Sequence, residues 1–322
     1  MKLSDLKMYF PSLYVKYEEI VFKKTYRYQQ KLLNRSPKAL VEYIYNKNFN
    51  KVINLENPKT FNEKLNWLKL NWYDENARIC SDKYLVRNYV REKGLAHLLN
   101  PLCGKGVYSD PKQIDVNELP DRFVLKATHD SGHNIICTDK SMINWKIARK
   151  KMKWWLEIDY SIMSGEWAYY NNNPGIICEE FLEDKENGEL LDYKFFCFNG
   201  RPELIFLASD RKNHAKSDFY DLDWNKLPFR WLYEPSGKIF KKPKRLKEMI
   251  EYATKLSEDF PFVRVDFYEV EGRVYFGELT FFHGGGCGWF KPESVDFELG
   301  EKIILPPIKQ NPWDEIGKGE IF

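Results

Sequence analysis

The stretch "VRVDFYEVEGRVYFGELTF", residues 263 to 281, constrains the fold more than any other, because it places two carboxylates on what otherwise reads as a buried hairpin. Successive side chains on a strand point to opposite faces. Val263, Val265 and Phe267 therefore share one face of the first strand, and Arg264, Asp266 and Tyr268 the other. On the second, Gly277, Leu279 and Phe281 fall together, opposite Phe276, Glu278 and Thr280. Matching apolar to apolar makes paired residue numbers sum to an even value, so that Asp266 faces Glu278. This predicts an odd loop of about three or five residues around Gly272 rather than a two-residue "EG" turn. Two neighbouring carboxylates repel unless a proton, a cation or a basic partner intervenes. A metal ion is one solution; a solvated strand face on which Arg264 pairs the acids is the other, and the hairpin alone does not choose.

The chain around it has 322 residues, 43% hydrophobic, with 22 Phe, 20 Tyr and 10 Trp, enough for a large core and two or three subdomains. A net charge of +3 from 50 basic and 47 acidic residues gives no argument for nucleic acid. Six cysteines without a CxxC pair read as buried free thiols, and five histidines without ligand spacing argue against zinc. The opening "MKLSDLKMYFPSLYVKYEE" lacks a signal-peptide h-region, and no run approaches the roughly 18 apolar residues of a membrane span. A cytoplasmic location is expected.

Four regions follow from the patterning. Residues 1–54 form a helical arm rich in Tyr, Lys and Arg, suited to packing, oligomer formation or contact with a membrane surface. Residues 55–120 contain "TFNEKLNWLKLNWY", with Asn62 predicted as helix cap, and "SDKYLVRNYVREKG", a helix capped near Ser81 and ended by Gly94. Residues 121–182 run strand, polar loop, strand, helix, strand. Residues 183–322 contain a hairpin turning on Asn199-Gly200, an amphipathic helix and the opening hairpin. The predicted class is α+β with mostly antiparallel strands.

Several stretches can carry chemistry. In "FVLKATHDSGHN", Lys126 ends a strand before a loop of Thr128, His129, Asp130, Ser131, Gly132 and His133 that can cradle phosphates; a lysine before a turn is also ordinary. "ICEEFLED" is either a hinge offering backbone groups to a base or a strand entering solvent. "DYKFFCF" puts Asp192 and Lys194 on one face, near Arg211, as a surface ion pair or a ribose and phosphate contact. Gly284 to Gly288 is a turn needing positive φ or a place of close substrate approach, and the lysine-rich "GKIFKKPKRLKE" a solvated helix start or a contact for an anionic glycan.

In this order, "TFNEKLNWLK", "DKYLVR", "FVLKATHDSG", the "EEFL" hinge, "DYKFFCFNGRP", "FYDLDWN" and "FPFVRVDFY…YFGELTF" resemble the ATP-grasp superfamily, and within it the TupA-like branch associated with teichuronopeptide and surface-polysaccharide biosynthesis; the likeness runs from about 55 to 306. The resemblance implies an ATP-grasp fold with a helical N-terminal extension, a small lid and an antiparallel C-terminal subdomain, and it implies ATP and Mg2+ as cofactors. Lys83 and Lys126 then match phosphate-binding lysines. Thr128, His129, Ser131 and Gly132 belong to the phosphate-covering loop, Glu179, Glu180, Phe181 and Leu182 to the adenine hinge, and Asp192 holds the ribose. Lys194, Arg211 and Arg264 serve the γ-phosphate and acyl-phosphate, and Asp266 and Glu278 hold magnesium. The implied reaction is ADP-forming ligation of a small-molecule carboxylate and amine, with an amino acid and a uronic acid as expected substrates. The implied partners are a glycan or a nucleotide- or lipid-linked sugar, with no nucleic acid, only peripheral membrane contact, and an oligomer left open. A glycosyltransferase of the same pathway and an inactive nucleotide- or glycan-binding module are the alternatives. The chain departs from the pattern at Thr280, where many members carry Asn, at Asp130 and His133, where glycines are usual, and at His283.

Overall fold

The computed structural model describes residues 11–170, 172–185, 188–210 and 215–315. Helices α1 (Pro11–Arg35) and α2 (Pro37–Phe49) open it, divided at Ser36, whose hydroxyl accepts from the Ala39 N–H while Pro37 starts the next helix. Helix α3 (Phe61–Asn71) begins in a capping box formed by Thr60 and Glu63. Asn62 is therefore not the expected cap. Lying in the first turn, its side chain donates to the Gly288 carbonyl at 2.9 Å and to Asp296 at 2.8 Å. Helices α4 (Glu75–Ser81) and α5 (Val86–Glu92) follow, and here too the cap differs from expectation: Ser81 ends α4, and Asp82 accepts from the Tyr84 and Leu85 N–H groups at 2.8 and 2.9 Å.

Strands β1 (Leu102–Tyr108), β2 (Phe123–Ala127), β3 (Asn134–Cys137) and β4 (Ile176–Glu180) make an antiparallel sheet in the order β1-β4-β2-β3. Helix α6 (Trp145–Leu156) covers it, so that Phe123, Leu125, Met152, Trp155, Ile176 and Cys178 share one small core, and α7 (Tyr160–Ser164) leads back toward β4. The second sheet contains β5 (Asp192–Phe198), β6 (Arg201–Ser209), β7 (Lys216–Tyr220), β8 (Lys226–Leu227), β10 (Phe262–Val270) and β11 (Arg273–Thr280), ordered β11-β10-β5-β6-β7-β8. Strands β9 (Arg230–Trp231) and β12 (Phe290–Lys291) pair separately. Helix α8 (Leu246–Ser257) buries Met249, Ala253 and Leu256 against β5, β6 and β10, and α9 (Ser294–Lys302) packs on α3. Asn199 and Gly200 take positive φ and form the expected two-residue turn between Phe198 and Arg201.

The β10–β11 hairpin corrects the expected odd loop. Val270 pairs with Arg273, and Glu271 and Gly272, at φ 51° and 73°, make a two-residue turn. Farther along, Arg264 pairs with Thr280 and Val265 with Leu279, the even sum that side-chain alternation demands. Between these stretches the register shifts, leaving Gly277 and Glu278 opposite Asp266 as a β-bulge. Both parities are present, and the bulge reconciles them. A Cβ on Gly277 would lie 3.0 Å from the Asp266 carbonyl oxygen, so any larger residue there would require the paired strand to shift by a few tenths of an ångström.

Candidate active site

Strands β5 and β10 pair with Lys194 opposite Asp266, which sets Asp192, Lys194, Arg264 and Asp266 on one face of the sheet. The Arg264 guanidinium grips Asp266 bidentately, Nε to Oδ1 and Nη2 to Oδ2 both at 2.7 Å, and Nη2 also donates to Glu278 Oε1 at 2.8 Å. Lys194 stands 2.6 Å from Asp192 and also pairs with Asp266. The Thr280 hydroxyl donates to Glu278 Oε1 at 3.2 Å, and Arg264 Nη1 donates to His283 Nδ1 at 3.0 Å. Asp192, Lys194, Arg264, Asp266 and His283 are buried, whereas the Glu278 side chain is 36% exposed.

These neighbours set the protonation states. Burial would raise the Glu278 carboxyl, but Arg264, Lys194 and Lys83 outweigh it and hold it at about 2. At Asp266 burial prevails, pushing the carboxyl up against the pull of Arg264 and Lys194. Burial, reinforced by Arg264 and Lys194, holds His283 well below the usual imidazole range, so the ring is neutral.

The four-stranded sheet contributes the opposing groups. Lys126 pairs with Glu179 at 2.6 Å, and its ammonium, destabilised by burial, is held charged by Glu179, Glu278 and Asp192. Arg87 reaches Glu179 at 3.4 Å. Lys83 donates its backbone N–H to the Thr128 carbonyl at 2.9 Å and its ammonium to the Asp130 carbonyl, which ties the first lysine to the loop. Within that loop Ser131 and Gly132 are exposed at the tip. The His129 ring is buried with Nε2 3.1 Å from the Trp155 carbonyl, so His129 offers a ligand only its backbone. Asp130 and His133, where glycines were expected, pair with each other at 2.5 Å while His133 stacks on Trp155, and the loop is stiffened accordingly.

At the hinge, the Glu180 N–H donates to the Pro101 carbonyl and its own carbonyl accepts from Asn100 at 2.8 Å, which leaves Phe181 and Leu182 to offer backbone groups. The Phe181 ring lies under the Arg122 guanidinium, 4.2 Å from its centroid. Arg211 lies outside the described residues.

Sequence reasoning missed a clamp beside this cluster. Asn62, Asn66 and Lys69, at i, i+4 and i+7 on one face of α3, donate to the carbonyls of Gly288, Gly286 and Gly285 at 2.9, 2.7 and 2.7 Å. They fasten a run in which Gly284, Gly285 and Gly286 all take positive φ, as that run predicted. Glu166 lies beside it, its carboxyl raised to about 7 by burial against the pull of Lys69. The helical spacing of two amides and a lysine on a buried face was the available signal.

The profile of TupA-like ATP-grasp proteins matches residues 63–304, three quarters of the chain, from the capping box of α3 through the charged hairpin to the end of α9. The chain belongs to the TupA-like ATP-grasp family. Its mixed helix and antiparallel-sheet architecture is the ATP-grasp fold. Among solved structures it is similar to the D-alanine–D-alanine ligase of Bacillus anthracis complexed with ATP, at 14% identity and TM-score 0.37 over 63% of this chain and 53% of that one. It is similar also to the phosphoribosylamine–glycine ligase of Thermotoga maritima, at 14% identity and TM-score 0.42 over 75% and 59%. For the ATP-grasp ligase PsnB, complexed with minimal precursor, magnesium and ADP, the values are 11% and 0.37 over 71% and 61%. The chain thus spans little more than half the length of the first of these, and the family assignment rests on the profile match. No curated protein gave a match.

Proposed function

We propose that the protein is an ADP-forming carboxylate–amine ligase. The observation that carries this reading is the convergence of Lys83 and Lys126 with the Lys194–Arg264–Asp266–Glu278 cluster, which gathers cations suited to phosphate and carboxylates suited to a divalent ion in one place. Family membership supports ATP as the donor. Lys83, Lys126 and the His129–Gly132 backbone bind phosphates, Phe181 and Leu182 the adenine, and Lys194 and Arg264 neutralise charge on the transferred phosphoryl group; the Thr128 N–H is already given to the Gly175 carbonyl. Asp192, buried beside Lys194, holds that lysine in place, in addition to or instead of the ribose contact the resemblance implies. The carboxylate substrate attacks the γ-phosphorus and ADP leaves. The amine then attacks the acyl carbon, phosphate leaves, and the amine proton passes to solvent or base.

Among the described residues no group of three or more His, Cys, Asp or Glu side chains is arranged to hold a metal ion. Magnesium needs fewer, since one or two carboxylates suffice when phosphates complete its shell. Glu278 fits, being ionised and half-exposed, with an Oε2 that takes no hydrogen bond among the described residues. Asp266 joins it only if Arg264 or Lys194 yields an oxygen. When bound, the ion would supply charge neutralisation between phosphates.

The proposed substrates are an amino acid and a uronic acid or similar carboxylate of a surface polysaccharide or glycopeptide, in the cytoplasm; no helix among the described residues is long and apolar enough to cross a membrane. Asp266→Asn and Glu278→Gln should each abolish ADP formation from ATP, measured by a coupled assay. Near wild-type rates in both would remove the metal assignment. A thermal shift with UDP-sugars alone, and none with adenine nucleotides, would turn the reading toward a glycosyltransferase or a binding module.

A further inference from the structure

We propose that His283 is a positioning residue for Arg264, its Nδ1 fixing the guanidinium nitrogen that the carboxylates among the described residues leave unheld. The inference rests on the reading above, in which Arg264 faces the transferred phosphoryl group. An arginine side chain carries five N–H donors in a rigid fork and no acceptor. Asp266 takes the Nε hydrogen and one from Nη2, and Glu278 takes the other Nη2 hydrogen. Nη1 is held by His283 at 3.0 Å. Because arginine can only donate, Nδ1 must be the acceptor and the ring proton sits on Nε2. Among the described residues one Nη1 hydrogen then remains for a ligand.

The other side of the ring excludes a simpler explanation. His283 Nε2 is buried with no hydrogen-bond partner among the described residues. Its surroundings are aromatic: Trp231 and Phe196 have ring centroids 4.2 and 4.6 Å away, and Phe206 5.9 Å. A side chain serving only to fill this space would be Phe or Leu, without a stranded N–H. Retaining an imidazole there makes physical sense only if Nδ1 is used. The charged groups facing the ring, Arg264 and Lys194, are both cations and oppose its protonation. The backbone is equally fixed, since His283 enters the glycine run that Asn62, Asn66 and Lys69 clamp.

The test compares His283→Asn, whose Oδ1 can stand where Nδ1 stood, with His283→Leu and His283→Phe, which fill the space without an acceptor. ADP formation from ATP and the ATP-induced thermal shift are measured on each full-length protein. The expected result is a fall of about 10- to 100-fold in kcat for the Leu and Phe variants with KM for ATP little changed, and substantial recovery in the Asn variant. Leu or Phe variants as fast as wild type, or an Asn variant no better than they are, would overturn the proposal. A second readout does not depend on activity or on a variant's folding. In the wild-type protein labelled with 15N-histidine, the His283 resonances should show a protonated Nε2 and an unprotonated, hydrogen-bonded Nδ1, and a protonated Nδ1 would overturn the proposal. If Arg264→Lys leaves ADP formation unchanged, the role given to Arg264 fails, while the tautomer still decides whether His283 holds it.

Discussion

At Glu166 burial outweighs the pull of Lys69, and this makes stability depend on pH in a direction opposite to that of an ordinary salt-bridged acid. Its carboxyl rises from 4.5 to about 7. Between those values the native protein holds a proton that the unfolded chain has released. The associated stability is therefore fully present below about pH 4.5 and is lost as pH rises through about 7, on the order of 3 kcal/mol in all. Glu166→Gln cannot ionise and escapes this loss. Thermal melts at pH 5 and pH 8 should show the variant gaining on the wild type at the higher pH; the reverse trend would make Glu166 an ionised partner of Lys69. At the hairpin the two acids should differ in stability as well as activity. Asp266→Asn breaks a buried network and should cost about 3 kcal/mol or more, whereas Glu278→Gln, half-exposed, should stay within about 1 kcal/mol in denaturant unfolding.

Among the elements, the β10–β11 hairpin shows how far side-chain alternation reaches. Alternation correctly put Arg264, Asp266, Glu278 and Thr280 within one network, because the apolar residues of both strands must face the core. It missed the turn, since a bulge changes the pairing parity without changing which face is buried at either end. The bulge makes its own prediction: Gly277→Val places a Cβ 3.0 Å from the Asp266 carbonyl oxygen, and overpacking of this kind costs about 1–3 kcal/mol. Chemical denaturation should show that loss together with weakened ADP formation, because the same residue sets the approach of Glu278 to Arg264. Helix caps were misplaced for a related reason. Asn62 and Ser81 are good capping types, but Thr60 with Glu63, and Asp82, hold the positions from which the free N–H groups can be reached.

At the scale of the whole molecule, the two sheets carry complementary halves of one proposed site, so nucleotide binding should register as global stabilisation. A ligand at about 100 times its Kd adds roughly 2.7 kcal/mol to a native state that alone binds it. Magnesium with ATP should raise the wild-type melting temperature. Lys126→Met, which leaves Glu179 without its lysine, should shrink that shift more than it lowers the melting temperature without nucleotide. An undiminished shift would remove Lys126 from the phosphate site.

The sequence by itself determined the α+β class, the hairpin strands, the Asn199–Gly200 turn and the family, since periodicity, turn chemistry and motif order are local properties of the chain. It also brought the acids and Arg264 onto one face. Only the tertiary structure decided which cation answers which carboxylate. Lys194 meets Asp266 across paired strands, His283 meets Arg264 after the chain reverses, and α3 reaches more than two hundred residues ahead to hold the glycine run. Such contacts depend on strand order, on one inserted residue in a ladder and on which buried space each ring fills. Local periodicity encodes the face a side chain takes, whereas its partner is selected by packing between segments far apart in the chain.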